Sequence, residues 1–150
     1  MMFADETDKI WEIGYVSGSF DLFHIGHLNL LRRAKERCNK LIVGVLSNEA
    51  IVRIKHKQPI ITLDDRLAIV AAIRYVDEVD VTTRELLDKV KAWEKYRFNA
   101  MFSGDDHARD NWIKEKDALT EFGAELVFFP YTPGISTTSL RNDLIRWGDL

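Results

Sequence analysis

The sequence predicts an α/β protein built on a doubly wound, mainly parallel sheet of five strands. Five short apolar runs alternate along the chain with segments in which apolar residues recur at helical spacing. One of these runs, residues 41–46, is apolar throughout, as expected of a strand that helices cover on both faces. At 150 residues the chain is long enough for one domain with a substantial core.

Each predicted strand is a run of apolar and β-branched residues followed by turn-forming or polar residues. The predicted strands occupy residues 10–17, 41–46, 79–82, 98–102 and 124–129. Residues 1–9 are acidic and polar, and we expect a flexible lead-in there, followed by a single domain over residues 10–150.

Each predicted helix shows apolar residues at helical spacing or begins at a side chain that can cap free N–H groups. The predicted helices occupy residues 27–38, 48–55, 62–75, 85–95, 111–122 and 136–147. Ser47, Thr62, Thr83 and Ser136 are capping residues, and acidic side chains in the first turn after Thr62 favour its helix further. Gly123 stops the fifth helix.

The composition excludes several classes of protein. The formal net charge is −3 with both signs interspersed, so no general affinity for nucleic acid or for a membrane is expected. No apolar run approaches the roughly 20 residues that cross a bilayer. The single cysteine, Cys38, rules out an internal disulfide and fits a reducing compartment, so we expect a cytoplasmic protein in which this thiol is buried.

The first predicted strand leads into a turn that delivers His24 and His27 to the start of a helix. Gly18 and Ser19 let the backbone approach a ligand, and the helix N-terminus offers free N–H groups. Both imidazoles would share a face and could donate to a transferring phosphoryl group. The alternatives are structural histidines that cap the helix, or a pair of metal ligands. The turn lacks the dinucleotide-binding pattern and the P-loop lysine.

Basic side chains follow this turn along the chain. Lys55 and Lys57 lie in a polar loop, where they suit a clamp on a triphosphate; a solvated basic loop is the alternative. Arg66 and Arg74 are eight residues apart on one predicted helix, which would place both on nearly the same face. These two residues are candidates for phosphate contacts or ordinary surface arginines.

Two polar clusters follow the fourth and fifth predicted strands, and so should meet the histidine turn at one edge of the sheet. Gly104-Asp105-Asp106 could orient substrate hydroxyls or help to hold Mg²⁺, or form an acidic turn before a helix. Thr132 and the run from Gly134 to Thr138 present hydroxyls and N–H groups at a second helix N-terminus, which suits phosphate, although Ser136 can also be a plain cap.

Four motifs, taken in order, resemble those of the cytidylyltransferase family over most of the chain, from Tyr15 to Arg146. They are Gly18-Ser19-Phe20-Asp21 leading to His24-Ile25-Gly26-His27 (an HxGH element), Ile73-Arg74-Tyr75-Val76-Asp77-Glu78-Val79 (an RYVDEV element), Gly104-Asp105-Asp106, and Gly134-Ile135-Ser136-Thr137-Thr138. The third is similar to the version in the glycerol-3-phosphate enzymes of the family. The HxGH string also occurs in class I aminoacyl-tRNA synthetases, but this chain is far too short for one and lacks their second signature loop.

The resemblance implies a role for each matching residue. The implied catalytic residues are His24, His27, Lys55 and Lys57. The implied nucleotide-binding residues are Gly18, Ser19, Phe20, Arg74, Gly104, Asp105, Thr132, Ile135, Ser136, Thr137 and Thr138. The implied substrate-binding residues are Asp21, Arg66, Asp106 and Tyr131. No metal site built by the protein alone is implied.

The resemblance also implies a Rossmann-like, three-layer α/β/α fold and a reaction. A phosphate oxygen of the substrate attacks the α-phosphorus of CTP, and pyrophosphate leaves. The implied acceptor is a small polyol phosphate, with glycerol 3-phosphate the first choice; phosphocholine, phosphoethanolamine or another polyol phosphate are the alternatives. Mg²⁺ would accompany CTP, and members of this compact type resemble homodimers. No nucleic-acid or membrane partner is expected.

One departure from the family pattern lies just before the last motif. The family usually has Arg-Thr there, whereas this chain has Tyr131-Thr132 followed by Pro133. Tyr131 carries no charge, so a phosphate contact is lost or is supplied elsewhere, and Arg141 is a candidate substitute. Three other functions stay open: an adenylyltransferase that uses ATP, a nucleotide-binding module without turnover, and a zinc-dependent hydrolase that uses the histidines.

Overall fold

A computed structural model describes residues 9–104, 112–130 and 133–148. The strands are β1 (Trp11–Gly18), β2 (Cys38–Leu46), β3 (Glu78–Thr82), β4 (Ala100–Ser103) and β5 (Glu125–Phe128). The helices are α1 (Ile25–Glu36), α2 (Asn48–Lys55), α3 (Leu63–Ala71), α4 (Lys89–Tyr96), α5 (Trp112–Glu121) and α6 (Thr137–Gly148). None of the described helices is long and apolar enough to cross a membrane.

The strands form one parallel sheet in the order β3-β2-β1-β4-β5. This order confirms the predicted doubly wound, Rossmann-like fold. The chain builds one side of the sheet from β1 outward to β3 and then crosses to β4 on the other side, so the winding reverses between β1 and β4. Ligands of such sheets bind outside the carboxyl ends of the strands at this reversal. The turn that follows Gly18 therefore lies where a ligand is expected.

Helices cover the sheet on both faces. Successive side chains of a strand point to opposite faces, so neighbouring residues are buried in different apolar clusters. On β1, Val16 packs in one apolar cluster with Leu31 of α1, and its neighbour Tyr15 packs in a second cluster with Leu119 of α5. All residues from 41 to 46 are buried, as predicted. Two layers of helices thus enclose the sheet and hold the carboxyl end of β1 in place.

The start of the first helix differs from the prediction. α1 begins at Ile25 rather than residue 27, because His24 is its N-cap and accepts a hydrogen bond from the Gly26 N–H. Cys38 was expected at the end of this helix but opens β2, where its buried thiol donates to the Ala34 carbonyl over 3.3 Å. The expectation of a buried thiol is confirmed, although the element that carries it is a strand.

Two other predicted helices are shorter than expected. The helix predicted over residues 62–75 stops at Ala71, because the next residues form tight turns that pack Ile73 and Val76 against the apolar cluster. The helix predicted over residues 85–95 is divided into a 3-10 turn and α4. Asp88 causes the division, since its carboxylate caps the Val90 and Lys91 N–H groups and starts a new helix.

Candidate active site

The turn between β1 and α1 has an unusual backbone. Phe20 and Leu22 both lie in the left-handed region, with φ of 51° and 50°. Residues other than glycine pay a conformational cost there, so surrounding contacts must hold them. Asp21, between the two, provides those contacts: it is 2% exposed, and its carboxylate accepts the Ile60 and Ile61 N–H groups over 2.9 Å each.

The N-terminus of α6 is attached to the same turn. The Thr137 hydroxyl donates to the Asp21 carbonyl over 2.9 Å. A Cβ on Gly26 would lie 2.8 Å from the His24 ring and 3.6 Å from Cγ2 of Ile135, so the segment that leads into α6 lies close to the first turn of α1. The structure therefore brings two helix N-termini together at the carboxyl end of β1, and both offer N–H groups to an anion.

The two histidines of the turn are stacked face to face, with ring centroids 3.8 Å apart. The His24 backbone N–H donates to Nδ1 of His27 over 3.1 Å, and the Gly26 N–H donates to Nδ1 of His24 over 3.0 Å. Each Nδ1 is therefore an acceptor, which places the proton of each neutral ring on Nε2. The histidines cap the helix, which confirms one of the alternatives from the sequence. Because only Nδ1 is used in the cap, each Nε2–H can donate to another group.

Both imidazoles are held in the neutral form. Burial, followed by the charges of His24 and Lys55, lowers the pKa of His27 from 6.5 to about 3. Burial also lowers the pKa of His24. A proton on either Nδ1 would face a backbone N–H, so the hydrogen bonds and the pKa shifts act in the same direction. At neutral pH the two rings can therefore offer hydrogen-bond donors to an anion, but no positive charge.

The structure argues against the histidines as metal ligands. Ligation through Nε2 would require moving each proton to Nδ1 and breaking both bonds to the backbone. Within the described ranges, no group of three or more His, Cys, Asp or Glu side chains could hold a metal ion. The donors at this site are N–H groups and ammonium groups, which bind phosphate oxygens.

The lysine loop, residues 55–59, lies beside the histidines. Lys55 is the last residue of α2, and its charge acts on His27. His56 adopts a left-handed conformation that ends α2, and Lys57 follows it as an exposed residue. Both lysine side chains are exposed, and the charge of Lys55 reaches the histidine pair.

Arg66 does not occupy the position predicted for a substrate contact. Its side chain is 0% exposed, and its guanidinium donates to the carbonyls of Ile61, Ser19 and Leu46 and to Oδ1 of Asn48. These acceptors come from the histidine turn, the end of β2, the start of α2 and the segment before α3. Arg66 therefore holds these segments together by hydrogen bonds within the protein interior.

The prediction that Arg66 and Arg74 share a helix face is wrong. α3 ends before Arg74, which is exposed, lies over the partly buried Tyr75 ring and donates to its hydroxyl over 3.0 Å. In the same motif, Asp77 accepts Nζ of Lys35 over 2.6 Å and the Leu41 N–H over 2.7 Å. The RYVDEV element thus fixes the start of β3 to β2, a structural role that its composition does not reveal.

The remaining predicted residues fall into two groups. Gly18, Ser19 and Phe20 line the turn, and Ser136 caps α6 by accepting the Ser139 N–H over 3.0 Å, with Thr138 exposed beside it. Gly104 follows β4 directly. The predictions for Asp105, Asp106, Tyr131 and Thr132 lie outside the described residues.

Arg141, the candidate substitute for the missing family arginine, is engaged with the protein. One of its terminal nitrogens lies 3.7 Å from the Asp21 carboxylate, and the other donates to the Gln58 carbonyl over 3.0 Å. Sequence reasoning missed this contact, because the residues are 83 and 120 positions apart along the chain.

Two helix N-termini and two imidazole donors at the carboxyl end of a parallel strand are an arrangement that suits the phosphates of a nucleotide, as in a nucleotidyltransferase. Residues 15–143 match the Cytidylyltransferase-like family, and the chain belongs to that family.

Individual relatives agree with this assignment. A glycerol-3-phosphate cytidylyltransferase from Bacillus spizizenii is 35% identical over 127 residues, covering 85% of this chain and 92% of that protein. An FAD synthase from Thermococcus kodakarensis is 35% identical over 118 residues, covering 77% of this chain and 78% of that protein. A lipopolysaccharide core biosynthesis protein from Thermoplasma volcanium has a TM-score of 0.66 at 21% identity, covering 81% of this chain and 97% of that one; this likeness shows the fold alone.

Replacing Arg66 should destabilise the fold rather than weaken a substrate contact. Arg66→Met leaves buried acceptors unpaired, and we expect the free energy of unfolding to fall by about 3 kcal/mol or more in urea titrations. Arg74→Met, on the surface, should change it by no more than about 0.5 kcal/mol. An Arg66→Met protein as stable as Arg74→Met would return Arg66 to the predicted substrate role.

Acid should destabilise the folded protein through His27. Its pKa is about 3 in the folded state and 6.5 ordinarily, so the unfolded chain binds a proton here first as the pH falls. Stability from this group is complete above about pH 6.5 and declines toward pH 3, by up to about 1.4 kcal/mol per unit. Urea unfolding between about pH 7 and 5 measures the slope. His27→Asn, which retains an acceptor, should reduce it; an unchanged slope would contradict this assignment.

Proposed function

We propose that this protein transfers CMP from CTP to a small polyol phosphate, with glycerol 3-phosphate as the first choice. A phosphate oxygen of the acceptor forms a new bond to the α-phosphorus, and the bond from that phosphorus to the bridging oxygen of pyrophosphate breaks. The products are a CDP-alcohol and pyrophosphate. The observation that carries the proposal is the pair of Nε2–H donors where two helix N-termini meet.

In this mechanism the protein positions and stabilises, and the substrate brings its own nucleophile. His24 and His27 donate to the α-phosphate oxygens as negative charge develops on them. Because both rings are already neutral and oriented, they need no reorganisation during the reaction. Lys55 and Lys57 would hold the triphosphate, and the N-terminus of α6 would take part of the phosphate charge. Mg²⁺, held by the triphosphate oxygens, would neutralise further charge on the leaving pyrophosphate.

The choice of acceptor and of nucleotide rests on similarity. The relative from Bacillus spizizenii is named for glycerol 3-phosphate and cytidylyl transfer, and it matches nearly its whole length. The motif Gly104-Asp105-Asp106 is of the type seen in such enzymes. The second candidate is an adenylyltransferase that uses ATP, since a relative of the same identity is named for FAD, a product that contains adenine. Phosphocholine, phosphoethanolamine and other polyol phosphates are alternative acceptors.

Pyrophosphate release, measured with four nucleotides against a panel of phosphorylated alcohols, tests the substrates. We expect turnover with CTP and glycerol 3-phosphate. Activity with ATP and not with CTP would overturn the nucleotide assignment, and a different preferred alcohol would overturn the acceptor. No release with any combination would favour a nucleotide-binding module without turnover.

Alanine at either histidine tests the mechanism in the same assay. His24→Ala and His27→Ala should each lower kcat by about 10² or more, because each removes one oriented donor. His56→Asn is the matched control, since asparagine tolerates the left-handed conformation at that position and the His56 side chain has no assigned role. Full turnover in both alanine variants would exclude the proposed stabilisation.

The homodimer and the cytoplasmic location expected from the sequence are part of the proposal. Leu144 and Trp147 support the dimer, because they line one apolar groove on α6 while 55% and 77% exposed. Sedimentation velocity over a range of concentrations should show a species of twice the mass of the chain. A monomer at all concentrations would contradict it.

A further inference from the structure

Arg141 connects three segments that are distant in sequence. It lies on α6, with a side chain that is 25% exposed. One terminal nitrogen is 3.7 Å from Oδ2 of Asp21 in the histidine turn, and the other donates to the carbonyl of Gln58, in the lysine loop, over 3.0 Å. A single guanidinium therefore links the last helix, the turn that holds the histidines and the segment that carries the lysines.

Asp21 completes the connection from the other side. Its carboxylate accepts the N–H groups of Ile60 and Ile61. With the bonds from Arg141 to the Gln58 carbonyl and from Arg66 to the Ile61 carbonyl, the segment from Gln58 to Ile61 is attached at four backbone atoms. This carboxylate is almost fully buried, and a buried negative charge requires a cation or several donors to compensate it. Arg141 supplies charge to Asp21 and a hydrogen bond to the loop at once, through the fork of its guanidinium.

The same face of α6 contacts Asp21 twice. Thr137 and Arg141 are four residues apart, which places them one above the other on the helix. The Thr137 hydroxyl binds the main-chain oxygen of Asp21, and Arg141 faces its carboxylate. Because Arg141 also binds the lysine loop, the position of α6 against the turn determines the position of the loop.

We propose that Arg141 is a positioning residue that holds the lysine loop over the nucleotide site. Lys57 directly precedes Gln58, and consecutive Cα atoms are about 3.8 Å apart, so fixing the Gln58 carbonyl limits where Lys57 can lie. Arg141 thus acts through the loop, and it does not itself bind the phosphate in place of the missing family arginine. The proposal rests on the proposed function, in which Lys57 binds the triphosphate of CTP.

Hydrogen exchange of the protein without nucleotide tests the anchoring independently of activity. In Arg141→Met, which keeps the apolar stem, the Ile60 and Ile61 amides should exchange about tenfold faster than in the unmodified protein. Arg141→Lys, which keeps the charge and loses the fork, should fall between the two. Arg146→Met is the matched control, because Arg146 lies on the same helix, is 77% exposed and pairs with Asp143. Equal exchange in Arg141→Met and Arg146→Met would overturn the anchoring.

Steady-state kinetics then test the link to the lysines. We expect Arg141→Met to raise KM for CTP by about tenfold with a small change in kcat, and Arg141→Lys to recover part of the loss. A merely structural role would instead lower the unfolding midpoint and reduce the active fraction, leaving KM unchanged. Faster exchange with an unchanged KM would overturn the positioning role. Failure of the proposed function would look different from failure of the positioning role. The unmodified protein would then show no turnover with CTP, while the amides of Arg141→Met would still exchange faster than those of Arg146→Met.

Discussion

The buried carboxylate of Asp21 is the interaction on which the site depends. It lies between two residues in the left-handed conformation, and its contacts with the segment after the lysine loop and with α6 keep that turn in place. Without these contacts the backbone at Phe20 and Leu22 would relax toward ordinary values, because strained conformations persist only when their surroundings hold them. The turn in turn determines where His24 enters α1.

The chemistry of the histidines follows from the way α1 begins. An N-cap side chain must accept backbone N–H groups, and here two imidazoles do so through Nδ1. That requirement orients both rings, selects the Nε2–H tautomer and disfavours protonation, which the lowered pKa values reflect. Helix capping by these rings is confirmed, and it leaves both Nε2–H groups oriented as the proposed phosphate recognition requires.

Several predictions from the sequence hold, and they depend on local patterns. The five strands, the caps at Ser47 and Thr62 and the stop at Gly123 are where propensity and periodicity place them. The errors occur where long-range packing overrides propensity. α3 ends early because Ile73 packs against the apolar cluster of the sheet. Arg66 is buried and not on the surface, because carbonyls of three different segments accept hydrogen bonds from it.

The sequence by itself determined the α/β fold, the position of the histidine turn and the family, since these depend on periodicity and on motifs of adjacent residues. Only the tertiary structure decided which charged groups stay exposed and which bind other parts of the scaffold. Three arginines of the sequence have three different environments: Arg66 is buried, Arg74 is on the surface, and Arg141 joins a helix to a loop. The physical reason is that the environment of a long cationic side chain is set by acceptors that come from elsewhere in the chain.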